Sequence, residues 1–359
     1  MRRTFHQLLV GAGAGDAISS MANALQTDLQ RLGPSQIFAH FIAPEVAGEV
    51  QHLRTMPRGT RNDVLVYHAS YGEPEVTRFL LDRPEKIVLV YHNITPSNLF
   101  LAHEPQFAAG LQWGRHELCL LRDRVLLAVA DSSYNRSDLE AHGFEDIHVI
   151  PAGLRPSRLH SVKPDVALSR ELRHRFPKGF VLSVSQLLPH KRFEDLIAAM
   201  HLAQWVSQSE LGLVIVGRAR MRSYSDSLHS FARSLNLQRV WFAGSVDDSA
   251  LSTLYRSAST FAMTSIHEGL AVPPLEAMSF GVPVVARAAG ALAETLADAG
   301  LLLPSTVGPM MVSEAIVELD RNSSLRQDLI QRGFARVVEI EAENPGAGFV
   351  DLLESVLSR

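Results

Sequence analysis

Two glutamates eight residues apart, Glu268 and Glu276, have types and spacing that point to chemistry. Glu268 lies in a loop after the apolar run 259–265, and Glu276 lies between Pro274 and Gly281. Proline is favoured at the first helical position and glycine just past the end, so we expect a two-turn helix with Glu276 in its first turn. A helix N-terminus attracts phosphate, and fixed carboxylates accept hydrogen bonds from sugar hydroxyls. Taken alone, the two glutamates also fit a helix-dipole partner and a solvated loop residue.

The glycines near the N-terminus raise a second possibility, a dinucleotide-binding loop. The stretch VGAGAGDA follows an apolar run, but Gly15 comes one residue early for the G-x-G-x-x-G pattern. The next strand, 35–41, ends in histidine and phenylalanine where that fold needs an acidic residue. We therefore exclude a dinucleotide site. Gly13 and Gly15 allow close approach of the backbone, and Asp16 is suited to cap the following helix.

The elements that must position these residues alternate between apolar runs of strand length and amphipathic helical stretches. This alternation predicts an α/β protein with parallel sheets covered on both faces. The proline-containing stretch 151–165 is the best linker, so we expect two Rossmann-like domains, 1–160 and 161–359, with a cleft between them. The strands are predicted at 5–10, 63–68, 86–92, 125–131, 147–151, 180–185, 211–217, 239–244, 259–265 and 282–287.

Length and composition are those of an ordinary globular protein. The chain has 359 residues and a formal charge of −4, with 46% hydrophobic and 20% charged residues, and no basic cluster suggests nucleic acid. Its single cysteine, Cys119, favours a reducing compartment, and no stretch has the roughly 20 apolar residues that span a membrane. We expect a cytoplasmic protein, with peripheral contact at the inner face of the membrane left open.

The segment EGLAVPPLEAMSFGVPVV, residues 268–285, resembles the signature of the family 4 glycosyltransferases, retaining nucleotide-sugar enzymes of GT-B fold. The resemblance implies that Glu268 contacts the transferred sugar and that Glu276 holds the ribose. Many members have a second glycine where this chain has Ala271, a departure that we expect to be minor. Backbone amides of the intervening loop would face the sugar and phosphate; they belong to Gly269, Leu270, Ala271 and Val272.

Neighbouring segments of the C-terminal half carry the same resemblance. In this family the loop within 184–200 grips the diphosphate with an arginine and a lysine, and Lys191 matches the lysine. Gln186 stands at the arginine position, so either Arg192 compensates or the leaving group is less stabilised. The segment 240–259 resembles the part that packs the base. It contains Gly244 and Val246.

The N-terminal half, the acceptor side in this family, matches more loosely. His92, in the stretch YHNITP, corresponds to a histidine that approaches the donor sugar, and this stretch is similar to a bacterial subgroup that builds surface polysaccharides and glycosylated metabolites. Ser132 and Asn135 resemble polar residues near the cleft, with a helix cap and a solvated side chain as equally good interpretations. The loop of Gly13, Gly15 and Asp16 would form the wall opposite Glu268, where Asp16 could hold an acceptor hydroxyl or, as we favour, cap its helix.

Together these features predict a metal-independent hexosyltransferase without a cofactor, which moves sugar from a nucleoside diphosphate to a hydroxyl acceptor. The acceptor would be a glycan, a lipid-linked saccharide or a metabolite, and the resemblance implies retention of configuration. A sugar-nucleotide epimerase of the same fold and a catalytically silent sugar-nucleotide-binding partner subunit are the alternatives. The last helix, about 345–359, is expected to pack back on the N-terminal domain.

Overall fold

The computed structural model describes residues 3–358, and contacts divide them into two compact units. One unit contains the chain up to Arg155 together with the segment that begins at Glu343. The other is Pro156–Ala342. The division falls five residues before the expected boundary at 160/161, and the C-terminal helix is grouped with the N-terminal unit.

Within the described part of the first unit, a seven-stranded parallel sheet has the order β3-β2-β1-β4-β5-β6-β7. Its strands are β1 (Phe5–Ala12), β2 (Ile37–Ile42), β3 (Gln51–His52), β4 (Val64–Ala69), β5 (Lys86–Tyr91), β6 (Val125–Ala130) and β7 (Ile147–Val149). The central strands are buried on both faces, because helices cover both sides of a parallel sheet. The first four helices are α1 (Ala17–Leu32), α2 (Pro74–Leu81), α3 (Pro105–Leu121) and α4 (Ser133–Ala141).

In the second unit, the described residues form a six-stranded parallel sheet with the order β10-β9-β8-β11-β12-β13. These strands are β8 (Phe180–Val184), β9 (Gly212–Val216), β10 (Val240–Gly244), β11 (Thr260–Met263), β12 (Val284–Arg287) and β13 (Leu301–Leu303). The strand order reverses between β8 and β11, and open α/β sheets bind ligands at the carboxyl ends of strands at such a switch point.

Nine further helices lie within the described residues that follow the first sheet. They are α5 (Val166–Arg175), α6 (Phe193–Trp205), α7 (Arg222–Ser234), α8 (Asp248–Ser257), α9 (Val272–Ser279), α10 (Leu292–Leu296), α11 (Pro309–Arg321), α12 (Ser323–Ala342) and α13 (Pro345–Leu357). Helix α13 packs Phe349 and Leu353 into the same buried cluster as Leu25 and Leu29 of α1. Apolar burial therefore attaches the C-terminal helix to the first unit.

Two Rossmann-like parallel-sheet domains are thus confirmed, and every predicted strand is present. Several observed strands are shorter than the apolar runs that predicted them, because the runs continue into loops. The run 259–265, for example, contains the strand Thr260–Met263. The stretch 35–41 is also a strand, β2, whereas the two-residue β3 carries no apolar run that could predict it. No helix among the described residues is long and apolar enough to cross a bilayer.

Candidate active site

The loops that follow β8 and β11 meet at the switch point of the second sheet. They bring Lys191 and Glu268 together, with the ammonium nitrogen 2.8 Å from Oε1 and 2.9 Å from Oε2 of the carboxylate. The two side chains are only 15% and 8% exposed. Because a lysine ammonium has three donors, one N–H remains for another anion once two are used on Glu268.

The backbone around Lys191 is held by the end of β11. The Thr264 hydroxyl lies 2.9 Å from the Arg192 carbonyl and 3.3 Å from that of Lys191. The amide of Ile266 donates to the His190 carbonyl at 2.9 Å. Adjacent parallel strands therefore fix the lysine against the carboxylate, although 77 residues separate the two in sequence.

The loop of Glu268 is held from the other side by α10 and the residues just before it. The amide of Ala291 donates to the Glu268 carbonyl at 2.9 Å, and the Thr295 hydroxyl donates to the carbonyl of Leu270. A Cβ on Gly290 would lie 2.0 Å from the Glu268 carbonyl oxygen, so only glycine allows this approach. Gly290, Ala291 and Thr295 thus shape the loop of Glu268.

Ala271 differs from expectation in its backbone. It has φ +67° and ψ +75°, a left-handed conformation that costs a residue with a Cβ about 1–2 kcal/mol. The helix then begins at Val272 and accommodates the two prolines that follow. Proline lacks a backbone N–H, but the N–H groups of a first helical turn have no partner within the helix anyway. The predicted start at Pro274 is therefore wrong by two residues, and Glu276 is the fifth residue of α9, just past its first turn.

Glu276 is buried and belongs to a second cluster. Its Oε1 accepts from Nε of Arg158 at 2.9 Å, and its Oε2 accepts from the Tyr255 hydroxyl at 3.0 Å. Burial raises the pKa of Glu276, and the Arg158 guanidinium opposes that rise. The same guanidinium reaches both carboxylate oxygens of Asp248, at 3.1 Å each. Sequence reasoning missed Arg158 and Tyr255, since no local pattern connects them to Glu276.

Arg192 does not stand free as a replacement for the missing arginine at Gln186. Its guanidinium donates to both carboxylate oxygens of Asp195, at 2.9 and 3.2 Å, and lies 3.0 Å from Glu194. Both acids are in the first turn of α6, which Arg192 precedes in a left-handed conformation. Gln186 is half-buried in the loop after β8, where the next amide donates to the Arg218 carbonyl at 3.0 Å.

The predicted base-binding residues lie where β10 ends. Gly244 is exposed with φ +68°, and its carbonyl accepts from the amide of Gly217 at the end of β9. Val246 is half-buried in the following loop, and Asp247 caps α8 by accepting from the Ala250 amide at 2.8 Å. This loop leads directly to Asp248, one of the partners of Arg158.

In the first unit, Asp16 caps α1. Its carboxylate accepts from the amide and the hydroxyl of Ser19, at 2.9 and 2.8 Å, and the Ser19 hydroxyl in turn accepts from the Gly13 amide at 3.2 Å. Gly15 has φ +70°, and a Cβ there would meet no atom within 4 Å, so it is the turn conformation that favours glycine. The cap that the sequence favoured for Asp16 is present.

His92 lies just after β5 in a chain of buried polar groups. Its side chain is 2% exposed, with Nδ1 2.6 Å from Asp131 and Nε2 2.8 Å from Nδ1 of His68. His68 Nε2 is 2.9 Å from Oε1 of Gln7, whose amide nitrogen donates to the Ala22 carbonyl at 3.0 Å. Contact between a sugar and a ring nitrogen of His92 would have to replace one of these hydrogen bonds. The role of His92 remains a prediction.

Hydrogen-bond geometry determines which atoms carry protons in this row of buried polar side chains. Gln7 must turn its NH₂ to the Ala22 carbonyl, so its oxygen accepts from Nε2–H of His68. Burial lowers the pKa of His68 well below its ordinary value, and the neighbouring His92 lowers it further, so His68 is neutral with an accepting Nδ1. His92 therefore donates from Nε2 to His68, and its Nδ1 lies 2.6 Å from Oδ2 of Asp131. No sequence pattern connects His68 and Asp131 to His92, although each follows or ends an apolar run.

Ser132 and Asn135 start α4. The Ser132 hydroxyl accepts from the Asn135 amide at 3.1 Å and caps the helix. Asn135 is fully buried, accepts from the side chain of Asn93 at 2.9 Å and donates to the Tyr91 carbonyl at 3.2 Å. The interpretation of Asn135 as a solvated residue is therefore wrong, because its amide joins β5 to α4.

Comparison with known proteins agrees with this geometry. A family model described as "Glycosyl transferases group 1" matches residues 167–336, a stretch that contains Gln186, Lys191, Glu268 and Glu276. The two parallel-sheet Rossmann-like domains have the GT-B fold. The match spans residues 167–336 of the 359-residue chain, so this segment is similar to the group 1 glycosyltransferases.

Two curated relatives are similar to this chain over less than half of its length. The O-antigen chain mannosyltransferase B of Escherichia coli is 31% identical over 170 residues, which cover 46% of this chain and 43% of that protein. The GDP-mannose-dependent alpha-(1-6)-phosphatidylinositol monomannoside mannosyltransferase of Mycobacterium tuberculosis is 32% identical over 180 residues, covering 46% and 44%. The chain thus spans less than half the length of these relatives.

One solved structure is similar over nearly the whole fold. Anabaena HepE, in complex with UDP-glucose, superposes with a TM-score of 0.74 and covers 98% of this chain and 99% of that protein. Its sequence is 18% identical, so the likeness concerns the fold. It extends through both units, beyond the segment that the family model matches.

Proposed function

We propose that this protein transfers a hexose-type sugar, with mannose as the first candidate, from a nucleoside diphosphate to a hydroxyl acceptor. The observation that carries the proposal is the Lys191–Glu268 pair at the switch point of a domain that matches the family model of the group 1 glycosyltransferases. The names of the two curated relatives favour mannose, and HepE binds UDP-glucose. The acceptor class is a glycan, a lipid-linked saccharide or a metabolite.

In this proposal Lys191 stabilises the diphosphate as it leaves. Its free N–H donor serves a phosphate oxygen while Glu268 keeps the ammonium oriented and accepts from a sugar hydroxyl. A preorganised charge of this kind is worth several kcal/mol when negative charge develops in a site shielded from water. The bond from the anomeric carbon to the phosphate oxygen breaks, and a bond to the acceptor oxygen forms.

The contacts of the two glutamates favour a single front-face step with retention of configuration. A double displacement needs one carboxylate free to attack the anomeric carbon and another about 5 Å away. Both oxygens of Glu268 are bound to Lys191, and both oxygens of Glu276 are bound by Arg158 and Tyr255. In the proposed step the acceptor proton passes to the departing phosphate oxygen, without a metal ion or a cofactor.

A donor screen tests this proposal. The wild-type protein is mixed with GDP-mannose, UDP-glucose, UDP-galactose and ADP-glucose, and thermal stability and release of nucleoside diphosphate are measured together. We expect one donor to raise the melting temperature and to release its nucleoside diphosphate slowly in water, faster with an acceptor sugar. Conversion of the sugar to an epimer would instead favour an epimerase. Tight binding without turnover on any acceptor would favour the silent partner subunit.

A further inference from the structure

Arg158 stands at the centre of the proposed nucleotide site and has no role in the family resemblance. Its guanidinium joins Glu276 of α9, at 2.9 Å, to Asp248 at the start of α8, at 3.1 Å. Its side chain is 30% exposed, whereas that of Glu276 is 5% exposed. The arginine therefore connects the loop expected to pack the base with the carboxylate expected to hold the ribose.

The hydrogen-bond capacity of Glu276 leaves room for a ribose. A carboxylate offers about four lone-pair sites, and Arg158 and Tyr255 use one on each oxygen. Each oxygen therefore keeps one site for a ribose hydroxyl. The Tyr255 hydroxyl also lies 3.3 Å from the Pro273 carbonyl, so this side of the carboxylate is tied to the first turn of α9.

A buried carboxylate needs a cation to remain an anion. Burial raises the pKa of Glu276, and Arg158 is the first cause that lowers it. Asp248, which accepts from Nη1 of the same guanidinium, raises the pKa of Glu276. Hydrogen bonds to an ionised acceptor are about twice as strong as those to a neutral one, so Arg158 preserves the form that binds hydroxyls best.

From these contacts we propose that Arg158 is a positioning residue of the nucleotide site, which holds Glu276 ionised and oriented toward both ribose hydroxyls. The proposal rests on the nucleotide-sugar function and names the group that sets ribose recognition. Arg158 contacts Glu276 and Asp248 and acts on the nucleotide through them. The other interpretation, that Arg158 occupies the place of the ribose and weakens binding, predicts the opposite effect of removing it.

Calorimetry with paired nucleotides distinguishes these interpretations. GDP, UDP and ADP are each compared with the 2′,3′-dideoxy nucleotide for wild type, Arg158→Met and Arg256→Met. Arg256 is the matched control, since it contacts Ser252, the His160 carbonyl and the Phe280 ring and does not reach Glu276. We expect wild type and Arg256→Met to prefer the ribose form of one nucleotide by about 10–100-fold, and Arg158→Met by less than about threefold.

Two further variants guard against a trivial loss of structure. Asp248→Ala removes the two hydrogen bonds that fix the far end of the Arg158 guanidinium, so it should reduce the ribose preference several-fold in a folded protein through the loss of orientation. Arg158→Lys should restore part of it, because an ammonium can pair with Glu276 but cannot span to Asp248 as a planar guanidinium does.

Three results would overturn the inference, and they are distinguishable. Undiminished ribose preference in Arg158→Met removes the positioning role while leaving the proposed function intact. Tighter nucleotide binding by Arg158→Met would show that the arginine competes with the ribose. Absence of binding of any of the three nucleoside diphosphates to the wild type would remove the proposed function together with the inference.

Discussion

Lys191 donates hydrogen bonds to both carboxylate oxygens of Glu268, at 2.8 and 2.9 Å, in a position where both side chains are largely buried. The sequence assigned the lysine to the diphosphate and the glutamate to the sugar, as separate contacts. The structure joins them into one unit, so each side chain positions the other. Removal of either leaves a buried charge that has lost its partner.

This pairing predicts non-additive losses of activity. Lys191→Ala and Glu268→Ala should each lower kcat strongly. The kcat of the double variant should lie within about threefold of that of the less active single variant, because residues that act as a unit lose their contribution only once. Steady-state kinetics on the donor found by screening gives the three values. If the fold-loss in kcat of the double variant equals the product of the two single fold-losses, the residues act independently.

The left-handed backbone of Ala271 predicts a stabilising substitution. Ala271→Gly removes the steric cost of φ +67°, and we expect the free energy of unfolding to rise by about 0.5 kcal/mol after the loss of the buried methyl. Ala293→Gly, at an exposed position in α10, is the control and should lower it by about 1 kcal/mol. Urea unfolding measures both. Equal destabilisation by the two variants would contradict the strain argument.

Glu117 predicts a pH-dependent stability of the first unit. Burial raises the pKa of Glu117 to about 7 from its ordinary 4.5, despite hydrogen bonds from Thr77 and Tyr67 that lower it. Between these two values the folded protein keeps a proton that the unfolded chain has lost, so stability falls as pH rises from about 4.5 to 7 and then levels. The slope approaches about 1.4 kcal/mol per pH unit for this group.

Glu117→Gln should remove that slope, since an amide does not titrate. Urea unfolding followed through Trp113, whose indole nitrogen donates to Thr77, reports on this region in a Trp205→Phe/Trp241→Phe background. Asp146→Asn, at a carboxylate that is 92% exposed, should keep the slope of the parent protein. A Glu117→Gln protein with an unchanged slope over pH 4.5–7 would show that Glu117 does not carry the proton.

The buried chain around His92 predicts that it and Asp131 stabilise the fold as a pair. Breaking a buried pair from one side costs about 3–5 kcal/mol, because the remaining group has lost its partner in a dry site. His92→Ala and Asp131→Ala should each destabilise by about that amount, and the double variant should lose well below the sum. Thermal unfolding of the wild type, the two single variants and the double variant gives the coupling free energy of the pair. Additive losses would mean that the 2.6 Å contact contributes no coupling energy.

Much of the fold could be predicted because strands of parallel sheets are buried on both faces and leave uninterrupted apolar runs such as 86–92 and 211–217. The two-residue strand Gln51–His52 has no such run, and its pairing with β2 depends on contacts that no local pattern records. In the candidate site, too, only the residues that lie in a local sequence pattern could be predicted. Lys191, Glu268 and Glu276 lie in recognisable motifs.

The partners of these motif residues could not be predicted, because tertiary structure supplies them. Arg158 is 118 residues from Glu276 in the chain, and nothing in the linker marks it as a partner of that glutamate. Arg192 is a predicted phosphate ligand because it follows Lys191. In the structure its guanidinium pairs with Asp195, an acid of the first turn of α6, and its contact with the diphosphate stays a prediction.

Release of nucleoside diphosphate from the donor selected by screening, compared between Lys191→Ala and Lys178→Ala, tests the central claim most directly. Lys178 is the matched control, a surface lysine 64% exposed and 3.7 Å from Glu210. We predict that Lys191→Ala lowers turnover by about 10²–10³-fold, as the loss of one preorganised charge does, and that Lys178→Ala keeps the wild-type rate. A Lys191→Ala protein that turns over its donor as fast as Lys178→Ala would contradict the assignment of Lys191 to the leaving group.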